Sequence, residues 1–298
     1  MSPPPADSTQ ASEPSRRSNG DATSTEPFEL FSSLRYDPAL LKSSANTALS
    51  GRPNQPSPFY MLRYHRDRIM AAAEHFGWEK AATRLAGEEG LERLSTYLEG
   101  EVTRGQPSPD EGGEGSALRL RTLLSKAGDL RVEMAPVPPV PLDSLYPSSL
   151  PAPSPPPSHQ DAAAKVSSPA TPFRIHIDAH STPATPFTHF KTTSRDMYSS
   201  ARSRAGIPDM ASPEEVILVN PRGELMEGSL TSVYLYRDGA WVTPPVEVDS
   251  GGQAGTTRRW LLEKGFVTEG KVSRESVKVG EWVWVSNGVK GLVGGRVV

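Results

Sequence analysis

Lys191 has the most reactive setting in the sequence, between Phe190 and the hydroxyls of Thr192, Thr193 and Ser194, where a strand hands over to a helix. Upstream, residues 173–178 (FRIHID) alternate apolar and polar with the period of two that a strand requires. Downstream, the hydroxyls of residues 192–194 suit the cap of a helix that carries Met197, Tyr198, Ala201 and Arg202 and stops at Gly206 and Pro208. A lysine so placed is either a solvated charge or, if partial burial lowers its pKa, a nucleophile that forms Schiff bases with carbonyl groups. Two other stretches bear on the choice. Arg68 stands just before the apolar stripe Ile69, Met70, Ala72, Ala73 and Phe76 of a helix expected over residues 64–78. There it is either half of a surface ion pair or an arginine at a helix start that grips a phosphate bidentately, and His65 reads as a packing or hydrogen-bonding residue. Residues 251–258 (GGQAGTTR) form a glycine-rich loop opening a helix over 259–264. Backbone amides at a helix start favour phosphate, and the hydroxyls of Thr256 and Thr257 add donors, although such loops are common and the signal alone is weak.

The elements that must position these groups fall into two patterned regions. Residues 28–36 read as a strand closed by Asp37-Pro38, residues 39–58 as a loop and 59–62 as a short second strand, giving a hairpin-like start. Helical periodicity covers 64–78 and continues to about Thr103, residues 105–115 form a surface loop, and 117–124 and 130–134 read as two strands joined by a turn. This predicts a small α+β domain over 28–134. Residues 135–172 are dominated by Pro, Ser and Ala, include PAPSPPP at 151–157, and are expected to form a disordered insertion. As polyproline II it is either a passive linker or a ligand for SH3-type partners. From 173 to 298 the punctuation is strand-like, with strands at 215–219, 232–236, 240–243 and, last, 281–286, so a larger β-rich domain is expected there.

Composition narrows the function. With 32 basic and 35 acidic side chains, a net charge of −3 and no basic cluster, neither nucleic acid nor an anionic membrane is an expected partner; a small molecule is. Cysteine is absent and none of the six histidines has a metal-ligand spacing such as HExxH, so no metal is expected. No apolar run approaches the roughly 20 residues of a membrane span. Residues 1–27 are rich in Ser, Pro and Thr, lack the apolar core of a secretory signal and carry Asp7, Glu13, Asp21 and Glu26, which argues against a transit peptide. A disordered tail on a cytoplasmic protein is the plain expectation.

Taken in order, His65-x-x-Arg68, Lys191-Thr-Thr-x-Arg195, the MEGSLTS run of 226–232, Thr243-Pro-Pro245, Gly255-Thr-Thr-Arg258 and Ser286-Asn-Gly288 resemble the class IV aminotransferase group of pyridoxal-phosphate enzymes, over residues 28–298. The resemblance implies a two-domain mixed α/β fold of fold-type IV, like that of D-amino-acid aminotransferases, a pyridoxal 5'-phosphate cofactor and a homodimer. It makes Lys191 the lysine that binds the cofactor, Glu227 the carboxylate facing the pyridine nitrogen, and Arg68, Gly255, Thr256 and Thr257 the phosphate cup, with Asn287 also at the cofactor. Read without it, Glu227 is a surface acid in a turn before a strand. The sequence departs from the family at Ser232, where asparagine is usual, and at Gln253, where leucine is. The opening strand and the VWVSNGVK run of 283–290 are similar to the aminodeoxychorismate lyase branch, particularly fungal members, which implies release of 4-aminobenzoate and pyruvate by proton removal and elimination. A branched-chain or D-amino-acid aminotransferase, or a non-catalytic scaffold using the Pro-rich segment, are the alternatives. Arg35, Arg121 and Lys126 are candidate substrate-carboxylate ligands on charge.

Overall fold

A three-stranded antiparallel sheet lies at the amino-terminal side, its strands β1 (Leu30–Tyr36), β2 (Leu118–Leu124) and β3 (Leu130–Pro136) arranged in sequence order. The computed structural model describes residues 27–52, 54–105, 116–153, 172–247 and 249–298. The expected tail before Phe28, apart from Pro27, therefore lies outside the described residues. Leu30, Leu34, Leu120 and Leu124 share one face of this sheet by the period of two and bury themselves against three helices: α2 (Leu62–His75), α3 (Glu79–Leu85) and α4 (Gly87–Gly105). The opposite face carries Phe31, Ser33, Arg119 and Arg121, all of which line a cavity.

Several local expectations are corrected here. Residues 59–62 are not a strand: Phe59 makes a single bridge to Tyr36, and α2 already begins at Leu62. The partner of β1 is β2, so the chain does not open on a hairpin. The 39–58 loop holds a 3-10 turn at Pro38–Lys42 and a short helix, α1 (Ser44–Thr47). The long helix expected from Trp78 is broken between Leu85 and Gly87, where Gly87 takes φ of 66°, a left-handed value that costs glycine nothing.

The disordered insertion does not begin at Ala135. Ala135 and Pro136 complete β3, and within residues 137–153 Ser144, Leu145 and Pro147 are buried. A one-turn helix, α5 (Leu142–Leu145), sends Leu145 fully into a core that it shares with Tyr60, Trp260 and Trp284. Tyr146 donates to Asn46 Oδ1 at 2.7 Å, and Trp241 Nε1 donates to the Pro151 carbonyl at 3.1 Å. Averaged composition hid these anchors, because a few apolar side chains suffice to hold a proline-rich strap whose backbone has few amides to satisfy. Residues 154–171, the rest of that stretch, lie outside the described residues.

The second sheet has eight strands in the order β6-β5-β4-β11-β10-β7-β8-β9. They are β4 (Phe173–Ser181), β5 (Glu214–Val219), β6 (Leu225–Gly228), β7 (Ser232–Arg237), β8 (Ala240–Thr243), β9 (Thr268–Glu269), β10 (Trp282–Asn287) and β11 (Gly291–Val297). β4 runs parallel to both β5 and β11, and most other pairings are antiparallel. β5 is almost wholly buried because both its faces are covered: Ile217 and Val219 pack inside the curled sheet, while Val216 and Leu218 meet Tyr198 and Ala201 of helix α7 (Asp196–Arg204). β11 extends the chain past the strand expected to be last; its glycines Gly291, Gly294 and Gly295 broke the apolar alternation that would have revealed it. Between β4 and α7 lies the one-turn helix α6 (Pro186–His189), and helix α8 (Thr256–Glu263) follows the glycine-rich loop.

Candidate active site

The Lys191 segment is fixed by hydrogen bonds to β1 and its flank. Phe31 N donates to Lys191 O at 3.0 Å, Thr193 N to Glu29 O at 2.9 Å, and Glu29 N to the Thr193 hydroxyl at 2.9 Å, while Thr192 bridges Leu30. Of the hydroxyls expected to cap α7, that of Thr193 instead accepts from Glu29 N beside β1, and that of Thr192 donates to Ser194 O; Arg195 stands at the cap and makes no side-chain capping bond. Phe190 packs on His75, with ring centroids 4.4 Å apart, and closes the segment from the far side.

The Lys191 side chain enters a cavity of about 560 Å³ between the two sheets, which Arg68, Glu227, Gly255, Thr256 and Asn287 also line. Its Nζ lies 3.2 Å from Gln253 Oε1. Gln253 Nε2 donates to the Tyr198 hydroxyl at 2.9 Å, and that hydroxyl donates to Glu227 Oε1 at 2.5 Å. Three hydrogen bonds therefore link the amine to the carboxylate. Gln253, which departs from the resemblance, is the middle link, and Tyr198, expected only as a helix residue, is the last. Tyr198 lies in the first turn of α7, and its place in the apolar stripe with Ala201 gave the sequence no sign of a role at the cavity.

Electrostatics follow from this crowding. Burial, then the positive charges of Arg195 and Arg68, push the Lys191 amine well below its ordinary range. Burial pushes the Glu227 carboxyl up, opposed by the Tyr198 hydrogen bond and the Lys191 charge. His65 is held far below its ordinary range by burial, with Arg68 and Lys191 adding to the effect, so it is neutral. Its Nδ1 lies 2.6 Å from the Ser32 hydroxyl and its Nε2 3.4 Å from Thr256 Oγ1, which makes it a spacer between α2, β1 and the glycine loop. Gly288 must be glycine there, since a Cβ would come within 2.4 Å of the His65 ring and 2.8 Å of the Ser33 carbonyl.

Arg68 sits in the middle of α2, not at its start, and burial pushes its pKa down to about 10. It hydrogen-bonds the Ser32 hydroxyl, but its Nε is buried without a partner, as is Nη1 of Arg195. Gly255 precedes α8, so the amides of Thr256 and Thr257 are first-turn donors without intrahelical acceptors. Thr257 does not line the cavity: its hydroxyl donates to Asn287 O at 3.2 Å and lies 3.4 Å from the Tyr60 hydroxyl, which leaves its backbone as the available group. Asn287 reaches the cavity wall, but its Oδ1 accepts from Val289 N at 3.0 Å and Lys290 N at 2.9 Å, so its amide shapes the turn.

Of the carboxylate-ligand candidates only Arg121 lines the cavity. Arg35 is fully buried, bonded to Asp37 Oδ2 at 2.8 Å and to the carbonyls of Pro138 and Val289, and ties β1 to the 287–290 turn. Lys126 is exposed on the β2–β3 turn. Behind the wall, Glu215 accepts from Ser229 N, Ser229 Oγ, Leu230 N and Thr231 Oγ1 at 2.5–3.0 Å and fixes the loop after Glu227. Among the described residues no group of three His, Cys, Asp or Glu side chains is placed to hold a metal, and no helix is long and apolar enough to cross a membrane.

The depressed amine has a measurable consequence. Between its folded value and the ordinary value near 10.5, the unfolded chain carries a proton that the folded chain does not, so folding stability attributable to Lys191 rises with pH across that window. Urea unfolding of ligand-free protein should show wild type gaining on Lys191→Met between about pH 7 and about pH 10. Parallel curves would mean that the amine is charged in the fold.

The family model for amino-transferase class IV matches residues 50–298. The aminodeoxychorismate lyase of Saccharomyces cerevisiae is 32% identical over 209 residues, 62% of this chain, and the matched stretch spans about half (52%) of the yeast protein. A candidate aminodeoxychorismate lyase of Schizosaccharomyces pombe is 25% identical over 244 residues, covering 80% of this chain and 84% of that protein. A crystal structure of a candidate amino-acid aminotransferase from Mesorhizobium loti superposes with a TM-score of 0.60 at 21% identity, over 91% of this chain and all (100%) of the other, which shows the fold.

Proposed function

We propose that this chain, which belongs to the class IV amino-transferase family, is a pyridoxal-phosphate-dependent aminodeoxychorismate lyase. The observation that carries the reading is the cavity that places a pKa-lowered lysine, a buried carboxylate and unsatisfied cationic donors together. The choice of the lyase branch is supported by similarity to the yeast lyase.

The residues fit the cofactor. The partnerless buried Nε of Arg68 and the orphan first-turn amides of α8 supply donors for a phosphate. Glu227, held by Tyr198, is the carboxylate for a pyridinium, and Lys191 is the amine for the aldehyde. When bound, pyridoxal phosphate supplies an electron sink for the carbanion that forms beside the substrate amine. Lys191, its amine pushed well below its ordinary range by burial, removes the proton from the ring carbon that bears the amine of 4-amino-4-deoxychorismate. Enolpyruvate leaves from the adjacent carbon as the ring becomes aromatic, and Lys191 returns a proton to its methylene carbon, giving pyruvate beside 4-aminobenzoate. Gln253 and Tyr198 orient the two ends of this arrangement without taking part in the proton transfer.

Incubation of purified protein with enzymatically generated aminodeoxychorismate should release pyruvate and 4-aminobenzoate in equal amounts. Protein that binds the cofactor and exchanges amino groups between amino acids and keto acids, yet forms no 4-aminobenzoate, would place it among the aminotransferases of the family.

A further inference from the structure

Gln253 touches both ends of the chain that joins Lys191 to Glu227. It is buried in the glycine-rich loop before α8, and its Oε1, 3.2 Å from Lys191 Nζ, is the only hydrogen-bond partner of that amine among the described residues. Its Nε2 donates to the Tyr198 hydroxyl at 2.9 Å, and a hydrogen bond from its main chain reaches Glu227 and opposes the upward push on that carboxyl. The class IV family usually carries leucine here, which offers no polar atom.

The direction of the amide follows from its neighbours. Tyr198 has one hydroxyl proton and gives it to Glu227 Oε1, so it can only accept from Gln253, and the amide turns its NH2 to the phenol. The amide oxygen, which can only accept, is thereby left facing Lys191. The amine spends one N–H on that oxygen, and its lone pair, when it is neutral, is turned away from Gln253. The Phe31 ring, its centroid 5.1 Å from Nζ, and the open cavity occupy the remaining sides. The charged groups acting on the amine are Arg68 of α2, Arg195 at the α7 cap, Glu227 of β6 and Glu215 of β5, the arginines disfavouring its proton and the carboxylates favouring it. None of the four hydrogen-bonds Nζ, so they set the field, and Gln253 alone fixes the position. A lysine stem is long and flexible, and an amine without a partner spreads over several rotamers.

We infer that Gln253 is a positioning residue whose amide oxygen holds the free Lys191 amine with its lone pair toward the open cavity, a task for which the family's leucine has no atom. This deepens the proposed function and rests on it, since there the free amine first takes a proton and then returns one. A base held at a single point meets the reacting carbons in one geometry on every turnover.

The test compares wild type with Gln253→Leu and Gln253→Glu. Trace acetic anhydride, which acylates only neutral amines, is applied across a pH series to the full chain stripped of cofactor, and labelling of Lys191 is read by mass spectrometry with the exposed Lys126 as internal reference. An acceptor bonded to the amine favours its charged form. Gln253→Leu should therefore lower the Lys191 labelling midpoint by about one pH unit, and a carboxylate in place of the amide should raise it by about as much or more. In the holoenzyme, Gln253→Leu should keep the cofactor's absorbance and KM while kcat falls roughly tenfold or more, because a misplaced base loses the proton transfer and not the binding. A residue that only fills space would move both midpoints the same way or neither, and either result overturns the inference, as does a Gln253→Leu enzyme with wild-type kcat. Gln253→Glu carries the test if the leucine variant folds poorly. Labelling needs no turnover, so opposite midpoint shifts in a protein that releases no 4-aminobenzoate refute the reaction and leave Gln253 holding the amine.

Discussion

Lys191→Ala is expected to abolish release of both 4-aminobenzoate and pyruvate, and with it the absorbance near the visible edge that a bound pyridoxal group gives. The expected loss is large because the same amine is assigned two proton transfers, each worth roughly 10²–10⁴-fold. No neighbour can substitute. Arg68 and Arg195 are cationic donors, and the Tyr198 hydroxyl is pushed up by burial, then by Glu227, beyond use as a base. His65 is neutral but its ring nitrogens face Ser32 and Thr256. The variant should fold, since the segment is tied to β1 through main-chain atoms that alanine retains and the substitution removes an amine crowded by two arginines. Unfolding by urea and the product assay together check this. A variant with wild-type stability that still turns over within tenfold would remove Lys191 from the chemistry.

The sequence carried the site better than it carried the scaffold, and for a physical reason. Lys191 and the glycine loop are read from residue type at an element boundary, and boundaries marked by Gly, Pro and hydroxyl residues are local signals, whereas Arg68, read at a helix start, lies in the middle of α2. What holds them together is long-range. Ser32, His65 and Thr256 meet from three elements, and Gln253 reaches both Lys191 and Tyr198. Gln253 looked like a departure because only the folded chain shows it between an amine and a phenol. Glu215 read as the start of a strand, and its burial under four donors depends on a loop that follows fourteen residues later. In the scaffold, β11 was lost to its glycines and α5 to averaged proline content, whereas Leu142 and Leu145 of α5 are anchored by aromatic residues far away in the chain. The unpaired Arg119 shows the same limit: alternation along β2 predicts its face, but only the structure shows that Arg121 has Glu133 and Arg119 has no acid among the described residues.

Glu227→Gln separates the electronic role of the carboxylate from its role in shaping the cavity. Glutamine keeps the volume and can still accept from Tyr198, so the wall formed by β6 and the hydrogen-bond chain to Gln253 should persist. The negative charge is lost. In the wild type, burial pushes this carboxyl up, and the Tyr198 hydroxyl, which donates to it at 2.5 Å, together with the neighbouring Lys191 and Arg195 opposes that shift. If this carboxylate keeps a pyridine nitrogen protonated, removing it lowers kcat by roughly 10²–10³-fold, the scale on which one preorganised charge contributes. Cofactor retention should change little, since Arg68 and the α8 amides are untouched. Tyr198→Phe should cost much less, because it removes one donor and leaves the charge. The measurement is kcat beside cofactor content for both variants. A Glu227→Gln protein with full cofactor and kcat within about threefold of wild type would show that the carboxylate only lines the wall, and would move the search for the pyridine's partner to another residue of the cavity.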